Sequence, residues 1–433
     1  MKNKHWLILS HAFNMDGRAA SQTITDKMPY LLEAGVEPVV LSAVTGIKDS
    51  RFPHYQLLPW GPSGLRFDFR HWFAKNYGRG IFYKLVTSLL SILLLPFIFI
   101  ERILFGLSSQ SSWAIPAFIR SYWLIRQGKV DVIFSTAGAW SAHYAGWLLK
   151  KLTGVTWIAE IHDPMVIRDN QLDDGVSLRK SRDKRFLQKL ESKICSDANH
   201  IWWFTEGALD YAKKRNPQLG EKGFVVLPGA TPPSIDGNHQ YSNKLHICHF
   251  GSLANDRSLS PVIKMLSALF AKYPAAREQV CLDVYGAPLD ENSKKAILEF
   301  SLQNSVNVWG RLEYDSSSGL TGRERVMQKM HEADVLLLLQ GDYEWCAEYI
   351  PSKWYEYIWT KRPIFAVTNR NEIFDGYLAS RNSYIAKTLD ENSILETLNI
   401  IYLDWNGKKL RSAIGEPISV SQAVQKILNR VNG

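Results

Sequence analysis

The sequence predicts an α/β protein made of two doubly wound parallel sheets in tandem. Three observations carry this. Short apolar runs such as HWLILS, VEPVVLSA and TWIAEI alternate with amphipathic stretches through the first half. The alternation starts afresh after residue 244, with LHICHFG, VCLDVYG, VNVWG, DVLLLLQ and RPIFAVT. Between the two series lies PGATPPSIDGNHQYSNK (228–244), rich in Pro, Gly, Ser and Asn and without period, which reads as a linker. Strands this apolar suit a parallel sheet covered by helices on both faces.

In order along the chain, HWLILS is a first strand, since its apolar run is too short for a signal peptide. MDGRAASQTITDKMPYLLEAG follows as a glycine-containing loop and an amphipathic helix that stops at Gly35. VEPVVLSA, VDVIFSTAG, the helix SAHYAGWLLKKLTG, TWIAEI, a charged helix near 177–195 and HIWWFTE continue the alternation. In the second half, helices are expected near 258–273, 291–304 and 322–332, and from Pro351, with a last helix over about 418–431. The expected boundaries are a Rossmann-like domain over 1–230 with an insertion of about 60–125, a second over 244–415, and a terminal helix in 416–433 that returns to the first. The two domains are expected to face each other across a cleft, with loops at the carboxyl ends of the strands lining it.

A length of 433 residues suits two or three domains. With 46% hydrophobic and 21% charged residues, the chain is not disordered. Cys195, Cys248, Cys281 and Cys346 are widely spaced and form no CxxC pair, so they read as reduced core thiols. The net charge of +9 is local: residues 51–150 hold 11 Lys/Arg against 3 Asp/Glu, whereas residues 244–433 hold 22 of each.

Inside the basic region, Leu85 to Ile100 reads LVTSLLSILLLPFIFI without a charge. As a helix these 16 residues reach about 24 Å, short of the ~30 Å hydrocarbon core, and Pro96 interrupts them. Upstream, Arg66, Arg70, Lys75, Arg79 and Lys84 interleave with Phe67, Phe69, Trp72, Phe73, Tyr77, Phe82 and Tyr83. Basic and aromatic residues flanking an apolar run suit the headgroups of an anionic bilayer. Docking on one leaflet is the favoured reading; a buried core helix and a spanning helix are the alternatives. Nucleic acid would leave the apolar run unexplained and is not an expected partner.

Near the C-terminal end stands CAEYIPSKWYEYIWTKRP (346–363). Glu348 and Glu356 lie eight positions apart around Ile350-Pro351-Ser352-Lys353. Pro351 fits the first turn of a helix, but Lys353 beside it is the wrong charge for the positive end of a helix dipole unless an anion binds there. The alternative reading makes Glu348 a solvated loop residue and Glu356 an i,i+3 partner of Lys353.

Together, MDGRAASQTITDKMPYLLEAG, VDVIFSTAGAWSAHYAGWLLKKLTGVTWIAEIHDP, FTEGALDYAKKR…VVLPGA, HFGSL and EYIPSKWYE resemble a retaining glycosyltransferase of the GT-B fold, family 4. The resemblance covers most of the chain outside roughly residues 50–108, and the E-x7-E spacing is its most telling part. It implies that Lys353, Ser352 and the helix N-terminus behind Ile350 and Pro351 cradle the leaving diphosphate of a nucleotide sugar. It implies that Glu356 holds the ribose hydroxyls and Glu348 those of the donor sugar, since a carboxylate accepts two hydrogen bonds from a vicinal diol.

His162 matches the family histidine near donor sugar and acceptor, though some relatives read RDPW where this chain reads HDPM; a structural histidine at a strand end is the alternative. Asp163 ranks above Glu160, which alternation can send to the packed face. Gly17 and Arg18 resemble the first glycine-rich loop, or form an ordinary turn. Gly251 and Ser252 follow the first strand of the second domain. Where the family often has an Arg and a Lys, only Arg257 stands, with Arg311 as a possible second cation or a solvated loop arginine. His11, His143, His246 and His249 are read as structural. No DxD-type pair stands in a suitable loop, so no metal or cofactor is expected, and the donor is expected to be UDP-linked by the family's habit.

The expected activity is retaining transfer of a hexosyl or N-acetylhexosaminyl group to a lipid-linked (polyprenyl diphosphate) glycan. That is a step of surface polysaccharide biosynthesis, at the cytoplasmic face of the cell membrane. A sugar-nucleotide epimerase or hydrolase of the same fold, and a non-catalytic membrane scaffold, are the alternatives.

Overall fold

The computed structural model describes residues 4–15, 18–78, 80–105, 111–136, 139–166, 178–233, 242–253, 257–286 and 288–432. The chain forms two compact units, Met1–Pro228 together with Val420–Gly433, and Gly229–Ser419.

The first unit is a seven-stranded parallel sheet. Its elements are β1 (His5–Leu9), α1 (Ala19–Thr25), α2 (Met28–Glu33), β2 (Glu37–Ala43), β3 (His54–Leu57), α3 (Pro62–Tyr77), α4 (Ile81–Leu104), α5 (Ala114–Arg126), β4 (Val132–Thr136), α6 (Ser141–Thr153), β5 (Thr156–Ile161), α7 (Leu178–Asp197), β6 (His200–Trp203), α8 (Glu206–Arg215) and β7 (Gly223–Val225). The strand order is β3-β2-β1-β4-β5-β6-β7. β1 shows why its sequence lacks polarity: Trp6 and Ile8 enter one core, Leu7 and Leu9 the other, on opposite faces. Sequence reasoning missed β3 and β7, which are short edge strands with few apolar residues to mark them.

The second unit is a six-stranded parallel sheet in the order β10-β9-β8-β11-β12-β13. It comprises β8 (Leu245–Gly251), α9 (Ser260–Lys272), α10 (Ala276–Gln279), β9 (Val280–Gly286), α11 (Glu291–Glu299), β10 (Val306–Gly310), α12 (Gly322–Glu332), β11 (Val335–Leu339), α13 (Lys353–Thr360), β12 (Ile364–Thr368), α14 (Glu372–Ala379), β13 (Tyr384–Lys387) and α15 (Glu391–Asn406). Leu282, Val284, Leu337 and Val367 of the sheet pack with Leu266 of α9, Ala296 of α11 and Leu398 of α15. In both units the strand order reverses beside the first strand, between β1 and β4 and between β8 and β11. Ligands of such sheets bind at that switch point. The last helix, α16 (Val420–Asn432), buries Val424 and Ile427 in the first unit's core beside Ile24, Met28 and Leu31.

The insertion forms a helical hairpin of α3 and α4, and it corrects two expectations. α4 has 24 residues, about 36 Å at ~1.5 Å per residue, so it is not too short to cross a bilayer. Pro96 lies inside the helix rather than ending it. The helix is also not a core helix, since only 11% of its most apolar window is buried. Three of its polar groups face inward: Thr87 is buried, Ser91 Oγ accepts from Arg66 Nε of α3 at 3.0 Å, and Glu101 Oε2 accepts from the Ser63 backbone N–H at 2.8 Å. Leu85, Leu89, Ile92, Leu93, Phe97 and Phe99 point outward, each more than half exposed. This is an amphipathic helix turned inside out.

Candidate functional site

The loop between β11 and α13 carries the Glu348–Glu356 pair, and two buried amides hold it in shape. Gln340 Nε2 donates to the carbonyls of Cys346 (3.2 Å) and Tyr349 (3.0 Å). Asn371 Nδ2 donates to the same two carbonyls, at 2.9 and 2.8 Å. Gln340 Oε1 in turn accepts from the Asn369 N–H at 3.0 Å, tying the loop to the end of β12. A four-bond clamp on two carbonyls fixes the backbone on either side of Glu348. Sequence reasoning missed Gln340 and Asn371; nothing but their positions just after two strands marks them.

Glu348 is 1% exposed, so it is not the solvated loop residue of the alternative reading. Ile350 and Pro351 are buried, and Ser352 caps α13 in helical backbone geometry with no side-chain capping bond. Pro351 therefore lies just before the cap rather than within the helix. The first turn is tight, with Trp354 N bonded to Pro351 O at 2.9 Å and Tyr355 N to Ser352 O at 3.2 Å. Lys353 Nζ meets Glu356 Oε2 at 2.5 Å, the i,i+3 pairing of the alternative reading. The lysine side chain is 29% exposed and the glutamate 11%. The helix thus has a hydroxyl and a cation at its positive end, with its own carboxylate holding that cation.

Gly251 ends β8 at φ 139°, where a side chain is strained, and Ser252 beside it is exposed. The backbones are tight there: a Cβ on Gly286 would meet Gly251 O at 2.1 Å. Arg257 Nε is buried without a hydrogen-bond partner among the described residues. Its charge reaches His249, whose pKa is pushed down to about 4, chiefly by burial, and Tyr349, whose hydroxyl burial pushes up. Arg257 therefore sits by the Glu348 loop. Arg311 does not join them: it is exposed after edge strand β10, two strands from β8. In the first unit Arg18 is the exposed N-cap of α1, and Gly17 lies outside the described residues.

His162 follows β5, and Glu160, ranked below Asp163 in the sequence, is the residue that meets it. Glu160 is fully buried. Its Oε1 accepts from Thr136 Oγ1 (2.7 Å) and His162 Nε2 (2.9 Å); its Oε2 lies 2.8 Å from both Lys27 Nζ and Trp202 Nε1. Burial pushes the Glu160 carboxyl up, but Lys27 and His162 outweigh it and hold it well below the carboxylate range. The His162 ring stacks on Phe204 with centroids 4.6 Å apart. Lys27 was not singled out in the sequence, where it reads as one more lysine on an amphipathic helix. Among the described residues, no cluster of His, Cys, Asp or Glu is arranged to hold a metal.

Against known proteins, no family model matches the chain, and no curated protein matches it either. Solved structures do. The chain is similar to HepE of Anabaena in complex with UDP-glucose, with TM-score 0.57, 11% identity and 99% of each chain covered. It is similar to WaaG, described as a glycosyltransferase involved in lipopolysaccharide biosynthesis, with TM-score 0.54 and 11% identity over 98% of this chain and 95% of that one. A UDP-forming α,α-trehalose-phosphate synthase from Burkholderia vietnamiensis matches with TM-score 0.59 and 9% identity, over 99% and 94%. At such identities the likeness is one of fold, and the fold is GT-B.

Proposed function

We propose that this chain is a retaining glycosyltransferase that takes its sugar from a nucleotide donor, UDP-linked, and needs no metal. The observation that carries the reading is the start of α13. A helix N-terminus, Ser352 and Lys353 stand together there, with Lys353 five residues after the buried Glu348 and three before Glu356. The positive end of a helix dipole, a hydroxyl and a cation together suit a diphosphate. Negative charge grows on that diphosphate as the glycosidic bond breaks, so groups placed there stabilise the transition state more than the bound donor. Glu356 supplies the ribose contact. Glu356 also holds Lys353, so a diphosphate that takes the lysine releases the carboxylate to the ribose hydroxyls. Glu348 receives hydroxyls of the donor sugar, and His162 of the first unit serves donor or acceptor. HepE being described with UDP-glucose, and the synthase as UDP-forming, supports the choice of nucleotide.

The acceptor on this reading is a lipid-linked glycan of surface polysaccharide biosynthesis, met at the cytoplasmic face of the membrane. The support is α4, which turns leucines and phenylalanines outward. A panel of nucleotide sugars, assayed for nucleoside diphosphate release with and without membrane extract, tests the proposal. Extract-dependent release from one donor is expected; no release from any donor with extract present overturns it.

A further inference from the structure

The carboxylate of Glu160 is saturated. Each oxygen has two partners: Thr136 and His162 on one, Lys27 and Trp202 on the other. Both members of the Lys27–Glu160 pair are out of water, at 1% and 0% exposure. Enclosing such a pair costs several kcal/mol per ion before attraction repays it, and apolar side chains of similar volume would hold the same elements together as well. The arrangement therefore calls for a use. Lys27 reaches the carboxylate from the break between α1 and α2, where it also donates to the Thr23 carbonyl at 3.2 Å and lies 5.5 Å from the centre of the Phe204 ring. Lys27, Thr136, Glu160 and Trp202 are buried, and His162 beside them retains 7% side-chain exposure.

His162 is gripped on two sides. Phe204 fixes the ring plane, and Glu160 fixes one edge. A nitrogen facing an ionised carboxylate carries a hydrogen, so Nε2 is the protonated position, and Nδ1, with no partner among the described residues, is the acceptor. The Lys27 charge cancels that of Glu160. The carboxylate is thus held in place, and its Oε1 orients the imidazole through the 2.9 Å contact to Nε2. The other titratable groups close by are His143 of α6, pushed down to about 3 chiefly by burial and so neutral, and the exposed Asp163 on the same loop.

We infer that Lys27 and Glu160 are positioning residues that lock His162 as its Nε2-protonated tautomer and present Nδ1 as an acceptor for a hydroxyl group. The role of that hydroxyl rests on the proposed sugar transfer; the tautomer does not. Heteronuclear NMR of the full chain labelled with 15N-histidine tests it, with the His162 signals assigned by their loss in His162→Gln. The native chain at neutral pH is expected to show Nε2 protonated and Nδ1 bare. Lys27→Met, which leaves the Glu160 carboxylate without its buried counter-charge, is expected to move the His162 nitrogen signals. Lys27→Arg is expected to restore those signals, and Glu160→Gln to release the tautomer into a mixture. An Nδ1-protonated or mixed His162 in the native chain overturns the inference without any variant having to fold, as does a folded Lys27→Met chain with unchanged His162 signals. If transfer is established, Glu160→Gln should lower kcat about 10- to 100-fold, the range for loss of an orienting partner, with donor Kd unchanged. Failure of the donor panel would sink the transfer reading and leave the tautomer result standing.

Discussion

Glu356 and Lys353 show how one pair of residues carries two readings. Their 2.5 Å contact is what an i,i+3 ion pair on a helix gives, and a partly exposed pair of this kind adds less than about 1 kcal/mol to stability. So little stability leaves the pair open to exchange partners when a diphosphate arrives. Glu356→Ala is expected to weaken nucleoside diphosphate binding by about 1.5–3 kcal/mol, the worth of hydrogen bonds to a charged acceptor, while leaving the fold intact. Calorimetry showing unchanged affinity would put the nucleotide elsewhere. Lys353→Ala is expected to lower kcat under saturating donor more than it weakens donor binding. Lys353→Arg should rescue it only in part, because a planar guanidinium is larger than an ammonium. Wild-type turnover by the alanine variant would remove Lys353 from the chemistry. The two glutamates were legible in the sequence because their spacing brackets a turn. Gln340 and Asn371 were not, since a buried amide that clamps carbonyls from a distant loop has no local signature.

At the scale of elements, the α3–α4 hairpin shows which side of the apolar run meets protein. Its apolar run surrounds the helix almost completely in sequence, so periodicity could not say which side faces protein. Packing answers that, because Thr87, Ser91 and Glu101 turn toward α3. Packing also reassigns a charge. Lys75, grouped in sequence with the lipid-facing cations, instead donates to the carbonyls of Val44 (3.1 Å) and Gly46 (2.5 Å) and ties the hairpin to the end of β2. Arg79 lies outside the described residues. Arg70, Lys84 and Arg102 are exposed, and their joint change to glutamine is expected to weaken partition onto acidic vesicles, most at low salt. Leu89→Asp with Leu93→Asp should abolish partition at any salt, because it removes apolar area that screening does not touch. If the native chain fails to sediment with acidic vesicles at low salt, the outward leucines serve something other than a bilayer.

Across the whole molecule, three enclosed histidines make stability fall as pH drops below their ordinary range. Burial pushes His54 and His249 down to about 4 and His143 to about 3. In the unfolded chain they take up protons near 6.5. Between that value and the folded ones the unfolded state binds more protons, so the stability these three contribute is complete above about pH 6.5 and falls as pH drops toward 4. The loss approaches about 1.4 kcal/mol per pH unit for His143 and for His249, and less for the less enclosed His54. Urea midpoints at pH 7.5 and 4.5 check this: a clear drop is expected, and His249→Gln should flatten it. Chain order matters as well. α16 buries Val420, Ala423, Val424, Ile427, Leu428 and Val431 along one stripe in the first unit, although nearly two hundred residues of the second unit intervene. Full burial of such side chains stabilises by about 1.5–3 kcal/mol each, so a chain ending at Ser419 should unfold its first unit many degrees earlier in calorimetry. An unshifted transition would show that α16 is dispensable.

The sequence by itself determined the α/β class, the tandem repeat of the strand–helix alternation and the position of the Glu348–Glu356 turn. Each depends on residues close in the chain, where apolar period and turn chemistry are read directly. Tertiary structure alone decided what Glu160 does. As one polar residue in an apolar strand it could only be sent to a packed face. Its partners arrive from Lys27, Thr136 and Trp202, on three other segments of the first unit, and a carboxylate becomes a buried ligand for a lysine and a histidine only when a sheet sets those segments side by side. The same holds for α4, whose inward face was chosen by α3: local pattern records how apolar a surface is, and only packing records what that surface meets.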